Sequence, residues 1–427
     1  MSSPCPHKDV CGSCSWSHIP YEKQLKQKLS DINGSFGQKK LPPWCQTILP
    51  SPVTEHYRNR MDFVIDFEGR VGMREKGKWW KVIDGNSCFL ADTQIDDLFV
   101  KVRDWVKQSG LSYYDRKAHT GLLRYAVIRS TTLGQTMVNL VTSAVPEDET
   151  NNSVRPVPRP VRHSSVSDGG SSNVSSEVGS DIIVRAPFHP TTFIWSQNST
   201  ITDVSFGDRL ETITGPGYIE EEILGHRYRI SPNAFFQTNP HGAALLLQTV
   251  EEFCGDLSGR TLLDLYCGSG FFSVALAQKA TRTIGVEMVP ETIVDARMNA
   301  QLNSANADCE TKRASSSARP SEAKQTRVHT LEYHDAKMED LDWTTLGADV
   351  VILDPPRSGM HDKTLADILK NPPKEIVYVS CNFKNFAREM VQLQRLYRVN
   401  AMRAIDMFPH TPHVELVTKL ELKSLSR

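Results

Sequence analysis

The sequence is short of several things, and each shortage closes off a class of protein. Nowhere in its 427 residues is there an apolar run near the ~20 that a membrane span requires, so no membrane partner is expected. The first residues, MSSPCPHKDVCGSCSW, have neither an apolar signal core nor an Arg- and Ser-rich amphipathic pattern. A cytoplasmic location is therefore the default, with nuclear or organellar ones left open. Net charge is close to nil: 49 Lys and Arg against 50 Asp and Glu give −1, with a pI near 6.9. An anionic partner must then be met by local clusters of Lys and Arg, not by a basic protein as a whole. The nine cysteines are odd in number and sparse for this length, so a disulfide framework is not expected in a reducing compartment. Any close-set cysteines read instead as reactive or metal-bound thiols. No internal repeat is visible, and a monomer is expected.

What is present is a globular composition. With 39% hydrophobic and 23% charged residues and a mean hydropathy of −0.37, disorder throughout is excluded, and the length suits about two or three domains. Two segments, 147–181 and 304–326, are rich in Ser, Pro, Gly and small polar residues and read as low-complexity surface insertions. Residues 1–95 form a cysteine-bearing region with a helix around Tyr21 to Leu29 and an alternating stretch, Arg60 to Phe67. Residues 96–225 form a central, antiparallel region whose hairpin signal is Leu123 to Ser130, a turn near Gly134, then Thr136 to Val141. From 226 to 427 the pattern becomes strand, helix, strand. The strands are Arg260–Tyr266, Thr283–Glu287, Val350–Leu353, Ile376–Val379 and Leu416–Leu420. The helices are Phe271–Ala280 and Glu291–Leu302, the second opened by Pro290 at its first position. This alternation predicts a doubly wound, mostly parallel, Rossmann-like sheet, so the chain is of the α/β class with a mainly antiparallel α+β region ahead of it.

Ligands of such sheets bind beyond the C-terminal strand ends, so the loop after the first strand is the place to look. There the chain reads Asp264-Leu-Tyr266-Cys-Gly268-Ser-Gly270, with glycines where backbone must approach a ligand, and Glu287 stands at the end of the next strand. A carboxylate there can accept both hydroxyls of a ribose. Ser273 is a permissive third small residue for a dinucleotide fingerprint, but Asp354-Pro-Pro-Arg357 after a later strand suits a methyl donor better than a pyrophosphate. The constellation points to S-adenosylmethionine.

Two residues carry the chemistry. Ser380-Cys381-Asn382 follows a strand directly, presenting a thiol at the cofactor's edge of the sheet, and Asp406-Met-Phe-Pro-His-Thr-Pro-His413-Val-Glu415 brings a carboxylate into a Pro-restrained loop. Uracil C5 is too weak a nucleophile to attack a sulfonium methyl group unaided. Addition of a thiolate to C6 makes C5 an enolate carbon that can take the methyl group, after which a base must remove the C5 proton so that the thiol can leave. Cys381 is the candidate nucleophile and Glu415 the candidate base, with Asp354 or its neighbours holding the pyrimidine edge.

Ile230-Ser-Pro-Asn-Ala-Phe-Phe-Gln237-Thr-Asn239, Leu265-Tyr266-Cys-Gly-Ser-Gly270, Asp354-Pro-Pro-Arg-Ser-Gly359, Ser380-Cys-Asn382 and the Asp406–Glu415 segment resemble the ordered motifs of the RNA 5-methyluridine (uracil-C5) methyltransferase family. The resemblance implies donor contacts from Gln237, Tyr266, Gly268, Gly270, Glu287 and Asp354. It also implies Cys381 as nucleophile, Glu415 as proton acceptor and a uridine flipped out of its RNA. Two positions depart from the pattern: Phe383 stands where the family usually has Pro, and Phe271 where some members carry an Asn that touches the donor.

Cys5, Cys11 and Cys14, with Cys88 at a distance, form a ligand set that zinc or an iron–sulfur cluster would accept. The resemblance implies a 4Fe–4S cluster, and hence the iron–sulfur branch without an N-terminal TRAM barrel, in which the cluster staples the N-terminal region and shapes an RNA surface. Through residue 60, eight cations (Lys8, Lys23, Lys26, Lys28, Lys39, Lys40, Arg58, Arg60) face four acids, and Tyr57-Arg58-Asn-Arg60 resembles a segment near the RNA. Ribosomal RNA is the first expectation for the substrate and transfer RNA the second. Rival readings are an amino-group or cytosine-C5 methyltransferase and a non-catalytic iron–sulfur RNA-binding protein.

Overall fold

The computed structural model describes residues 5–85, 88–144, 176–315 and 329–424. The chain runs through α1 (Tyr21–Gln38), β1 (Ile48–Leu49), β2 (Arg60–Ile65), β3 (Val71–Glu75), β4 (Lys78–Asp84), α2 (Thr93–Gln108), β5 (Leu123–Ser130), β6 (Thr136–Ser143), α3 (Ser176–Val184), β7 (Thr192–Asn198) and β8 (Arg209–Thr214). A hairpin follows, β9 (Ile219–Ile223) and β10 (His226–Ile230), and then α4 (Pro240–Cys254). The remainder is β11 (Thr261–Leu265), α5 (Phe271–Leu276), β12 (Arg282–Glu287), α6 (Pro290–Ser315), β13 (Thr330–Asp335), β14 (Val350–Leu353), α7 (Asp362–Lys370), β15 (Glu375–Ser380), α8 (Phe383–Leu393), β16 (Tyr397–Ile405) and β17 (Glu415–Leu422). Among the described residues, no helix is long and apolar enough to cross a membrane.

Two sheets organise these elements. The catalytic sheet has the order β1-β16-β17-β15-β14-β11-β12-β13. It is parallel from β15 to β13, with β17 and β16 added antiparallel. Side chains on a strand alternate between faces, and the two cores divide accordingly. Leu262, Val350, Ile352, Val377 and Val417 pack with α4 and α5 on one face, whereas Leu263, Val351, Leu353, Ile376 and Leu416 pack with α1, α7 and α8 on the other. The second sheet, β4-β3-β2-β5-β6-β7-β8, is antiparallel except at β6 and β7. One of its faces buries α2 through Ile95, Phe99 and Val102. The α/β class and the antiparallel region ahead of the parallel sheet are as the sequence predicts.

The sheets cut across the blocks drawn along the sequence. Pairing of β2 with β5 joins residues on either side of position 95 in one sheet, and β1 pairs with β16 in the catalytic sheet. The 225/226 boundary falls inside the β9–β10 hairpin, whose two-residue turn at Leu224 and Gly225 has positive φ at both positions, the geometry that matches strand twist. Helix α1 is twice the length expected, because Ile32 and Phe36 continue its apolar stripe into the catalytic core. The two low-complexity segments need a similar correction. Residues 176–181 begin α3, whose Ile183 is buried in the central core, and residues 304–315 extend α6. The Ala, Glu, Lys and Arg content of 304–315 favours helix. The rest of both segments lies outside the described residues.

Candidate active site

The site is laid out by sheet order. Tyr266 follows β11, Glu287 ends β12, Asp354 follows β14, Cys381 follows β15 and Glu415 begins β17, so all five stand at one edge of one sheet. Register fixes the most telling pair. The last partners of antiparallel β15 and β17 are Ser380 and Leu416, and one further step along each strand sets Cys381 beside Glu415.

The loop after β11 is made for close approach. Tyr266, Gly268 and Gly270 all have positive φ, and a Cβ on Gly268 would meet nothing within 4 Å. At Gly270, by contrast, a Cβ would lie 2.7 Å from the Tyr333 hydroxyl and 3.0 Å from Val274. The Glu287 carboxylate accepts backbone N–H groups of Gly268 (3.1 Å), Met288 (2.8 Å) and Val289 (2.9 Å), which orients it while leaving lone pairs for hydroxyl donors. Asp264 is fully buried, accepts the Ser273 N–H at 2.9 Å, and is pushed by burial up to about 7. Backbone contact between Asp354 and Leu265 ties this loop to the next motif (3.4 Å).

Around Cys381 the site is acidic and desolvated. Burial, then the Glu415 and Asp354 carboxyls, push its thiol up to about 12 against the opposing pull of Arg357. Glu415 lies well above the usual carboxylate range through burial and Asp354, and burial alone raises Asp354 to about 7. These four side chains therefore share one electrostatic environment: Glu415 and Asp354 raise Cys381, Asp354 raises Glu415, and the Arg357 charge opposes both rises. Cys381 opens into a cavity of about 670 Å³ lined by Arg357, Asn382, His413 and, from α1, Ser30 and Asp31.

A sequence model for tRNA (uracil-5-)-methyltransferases matches residues 217–423. A tRNA (uracil(54)-C(5))-methyltransferase of Pyrococcus furiosus is 33% identical over 96% of this chain and 83% of its own. An uncharacterised RNA methyltransferase of Caldanaerobacter subterraneus is likewise 33% identical, over 99% of this chain and 85% of its own. The chain belongs to the RNA uracil-C5 methyltransferase family. The crystal structure of the Pyrococcus abyssi tRNA (uracil-54, C5)-methyltransferase with S-adenosyl-L-homocysteine superposes with a TM-score of 0.70 at 29% identity, covering 96% of this chain and 86% of that one.

In this RNA uracil-C5 methyltransferase the two departures from the family pattern are local. Phe383 is the first residue of α8, a position that suits proline as well, and Asn382 caps the helix by accepting the Lys384 N–H at 3.2 Å. Phe271 offers no polar atom; it packs against Tyr228 and Phe236 at 5.6 and 5.8 Å. Gln237 sits half-buried between β10 and α4.

Sequence reasoning missed several functional groups. Arg357 and His413, 3.1 Å apart, belong to quoted motifs, yet only the fold shows that they face one cavity. The N-terminal cations need correction: Lys28 is buried in an ion pair with Asp406 (2.6 Å) and Arg60 pairs with Asp62 (2.7 Å). Tyr57 and Asn59 are buried as well, so the Tyr57–Arg60 segment is mostly structural. Exposed aromatic rings stand elsewhere: Trp79 and Trp80 of edge strand β4 are 49% and 47% exposed, and Phe67 is 48% exposed beside them.

Cys5, Cys11, Cys14 and Cys88 do come together, lining one small pocket with Phe63 and Phe99. None is in a disulfide. Burial, then the other three thiols, push Cys14 up to about 12, and burial raises Cys88 to about 11. Among the described residues, no group of three or more His, Cys, Asp or Glu side chains is arranged to hold a single metal ion.

Proposed function

We propose that the protein methylates C5 of a uridine in structured RNA, with S-adenosylmethionine as donor and Cys381 bonded transiently to C6 of the base. The observation that carries this reading is the meeting of Cys381, Glu415, Asp354 and Arg357 at the sheet edge next to the Tyr266–Gly270 loop. Sequence placed ribosomal RNA first; the curated tRNA (uracil(54)-C(5)) relatives reverse that order, and transfer RNA is the substrate we propose.

The donor supplies an electrophilic methyl group on a positively charged sulfur. The residues present fit it: open space beside Gly268, an oriented carboxylate at Glu287, and at Asp354 a carboxyl that takes no side-chain hydrogen bond from the described residues. The family resemblance adds Gln237 and Tyr266 to the donor contacts. Burial raises Cys381, Asp354 and Glu415, with the carboxyls adding to the rise at Cys381, and Asp354 to that at Glu415. Cys381 and Glu415 must each give up a proton before they act, and positive charge bound in the pocket favours that loss. Cys381 must lose its proton to attack C6, and Arg357 is the side chain whose charge favours the thiolate. Glu415, shielded from water, is placed to take the C5 proton once the methyl group is in place.

Four thiols share one small pocket, and the other three raise Cys14, a crowding that a bound metal group would relieve. A 4Fe–4S cluster held by Cys5, Cys11, Cys14 and Cys88 is the reading we favour over zinc, on the family resemblance of this cysteine spacing. Its contribution would be to hold the N-terminal segment in place. For the RNA, the exposed rings of Trp79 and Trp80 suit the stacking of unpaired bases.

The test is incubation of purified protein with methyl-labelled donor and transfer RNA lacking the modification, followed by nucleoside analysis. Labelled 5-methyluridine is the expected product. Labelled 5-methylcytidine or an N-methylated base in its place, or no label in transfer or ribosomal RNA, refutes the reading.

A further inference from the structure

The loop that leads into Glu415 is held largely from outside the catalytic sheet. Residues 406–414 carry Pro409 and Pro412, and His410 has a positive φ of 65°, so the segment has few backbone bonds of its own. Its anchors are side chains of α1. Lys28 Nζ donates to Asp406 Oδ1 at 2.6 Å and to the Phe408 carbonyl at 3.1 Å. Gln24 Oε1 accepts the His410 N–H at 2.8 Å, and its Nε2 lies 3.1 Å from His410 Nδ1 and donates to the Ile19 and Trp16 carbonyls. The Trp16 N–H and the Tyr57 hydroxyl donate to the carbonyls of His410 (3.0 Å) and Pro409 (3.1 Å). From the catalytic domain, Asn239 donates to the Met407 carbonyl at 2.9 Å, and Arg357 reaches His413.

Gln24 and Lys28 are four residues apart and so lie on one face of α1, and both are buried, at 0% and 1% exposure. Packing does not require this. A leucine pair would fill the same space, and a buried ion pair contributes little net stability against an apolar replacement. What two buried polar side chains add is a single allowed geometry for the backbone they hold.

We propose that Gln24 and Lys28 are positioning residues for the proton-abstraction step. This rests on the reading above, in which Glu415 removes the C5 proton. In that step the proton passes to the Glu415 carboxylate, and the C5–H electron pair forms the C5=C6 double bond as the C6–S bond breaks, its electrons returning to the Cys381 sulfur. Attack on C6 and methyl transfer come earlier and draw on Cys381, at the end of β15, which neither residue touches. Loosening the loop therefore slows release of the methylated adduct without slowing its formation.

The experiment uses the full chain with unmodified transfer RNA and methyl-labelled donor, and two variants. Gln24→Leu leaves the ion pair intact; Lys28→Met with Asp406→Leu replaces the pair by apolar groups, so that no charge is orphaned and the fold is kept. Both are expected to accumulate a methyl-labelled protein–RNA complex that survives denaturation, with kcat down about tenfold or more and KM for RNA little changed. Their trapping rate on 5-fluorouridine RNA should match the wild type. Turnover and trapping lost in proportion, with no accumulation, would mean a merely structural role and overturn the proposal, as would wild-type turnover in both variants. Should wild-type protein fail to trap on 5-fluorouridine RNA, the covalent reading falls and takes this one with it. Trapping by the wild type, with accumulation in Glu415→Gln but not in these variants, sinks the positioning role alone.

Discussion

At Cys381 the chemistry demands a thiolate where burial, Glu415 and Asp354 all favour the thiol, pushing it up to about 12. Below that value the thiolate fraction grows with pH, so the rate of trapping on 5-fluorouridine RNA is expected to rise steadily from about pH 7 to about pH 9. Replacing Arg357 with Met removes the opposing charge and should move the whole profile to higher pH. Cys381→Ala should abolish both trapping and methyl transfer; an amino-group methyltransferase would tolerate that change. Asp264 gives a second pH signature. Its folded value of about 7 is above the ordinary 3.8, so between these values the folded chain holds a proton that the unfolded chain has released. The stabilisation is complete below the unfolded value and is lost as pH rises towards 7, amounting to about 4 kcal/mol at most. Thermal unfolding of the ligand-free protein should thus show lower stability at about pH 7.5 than at about pH 5, and Asp264→Asn should flatten that slope.

Among the elements, the turn from β11 to α5 and the edge strand β4 make the clearest commitments. Gly270 is the N-cap of α5, with φ 85° and a Cβ position already claimed by Tyr333 and Val274. Gly270→Ala should cost about 1–3 kcal/mol from backbone strain and crowding and weaken S-adenosylhomocysteine binding; calorimetric titration and thermal unfolding measure the two effects. If affinity and stability both stay at wild-type levels, the loop is not the rigid cradle described. On β4 the burial pattern leaves four consecutive residues, Lys78 to Lys81, in solvent. Replacing Trp79 and Trp80 together with Ala should raise KM for RNA, at about 1–3 kcal/mol per stacked base lost, and leave kcat and donor affinity near wild type. An unchanged KM would show that the RNA passes elsewhere.

For the whole molecule, the N-terminal residues are part of the catalytic unit. Helix α1 lines the catalytic cavity, β1 completes the sheet, and Trp16, two residues beyond Cys14, bonds to His410. Protein purified without oxygen is expected to carry iron and a broad visible absorption, both lost in Cys14→Ser. A colourless preparation holding one zinc would refute the iron–sulfur assignment.

Much of the site was legible in the sequence because the relevant signals are local. Turn glycines, the short apolar run Val350–Leu353 and a thiol directly after a strand act over a handful of residues, and the elements they mark form where the sequence pattern put them. What the sequence by itself determined was therefore the inventory: strands, helices, the glycine loop, a candidate nucleophile and a candidate base. Only the tertiary structure decided which of these meet. The step from Ser380–Leu416 pairing to a Cys381–Glu415 encounter, and the reach of Gln24 and Lys28 to partners 386 and 378 residues away, depend on how whole elements bury their apolar faces against one another, which no short-range pattern encodes.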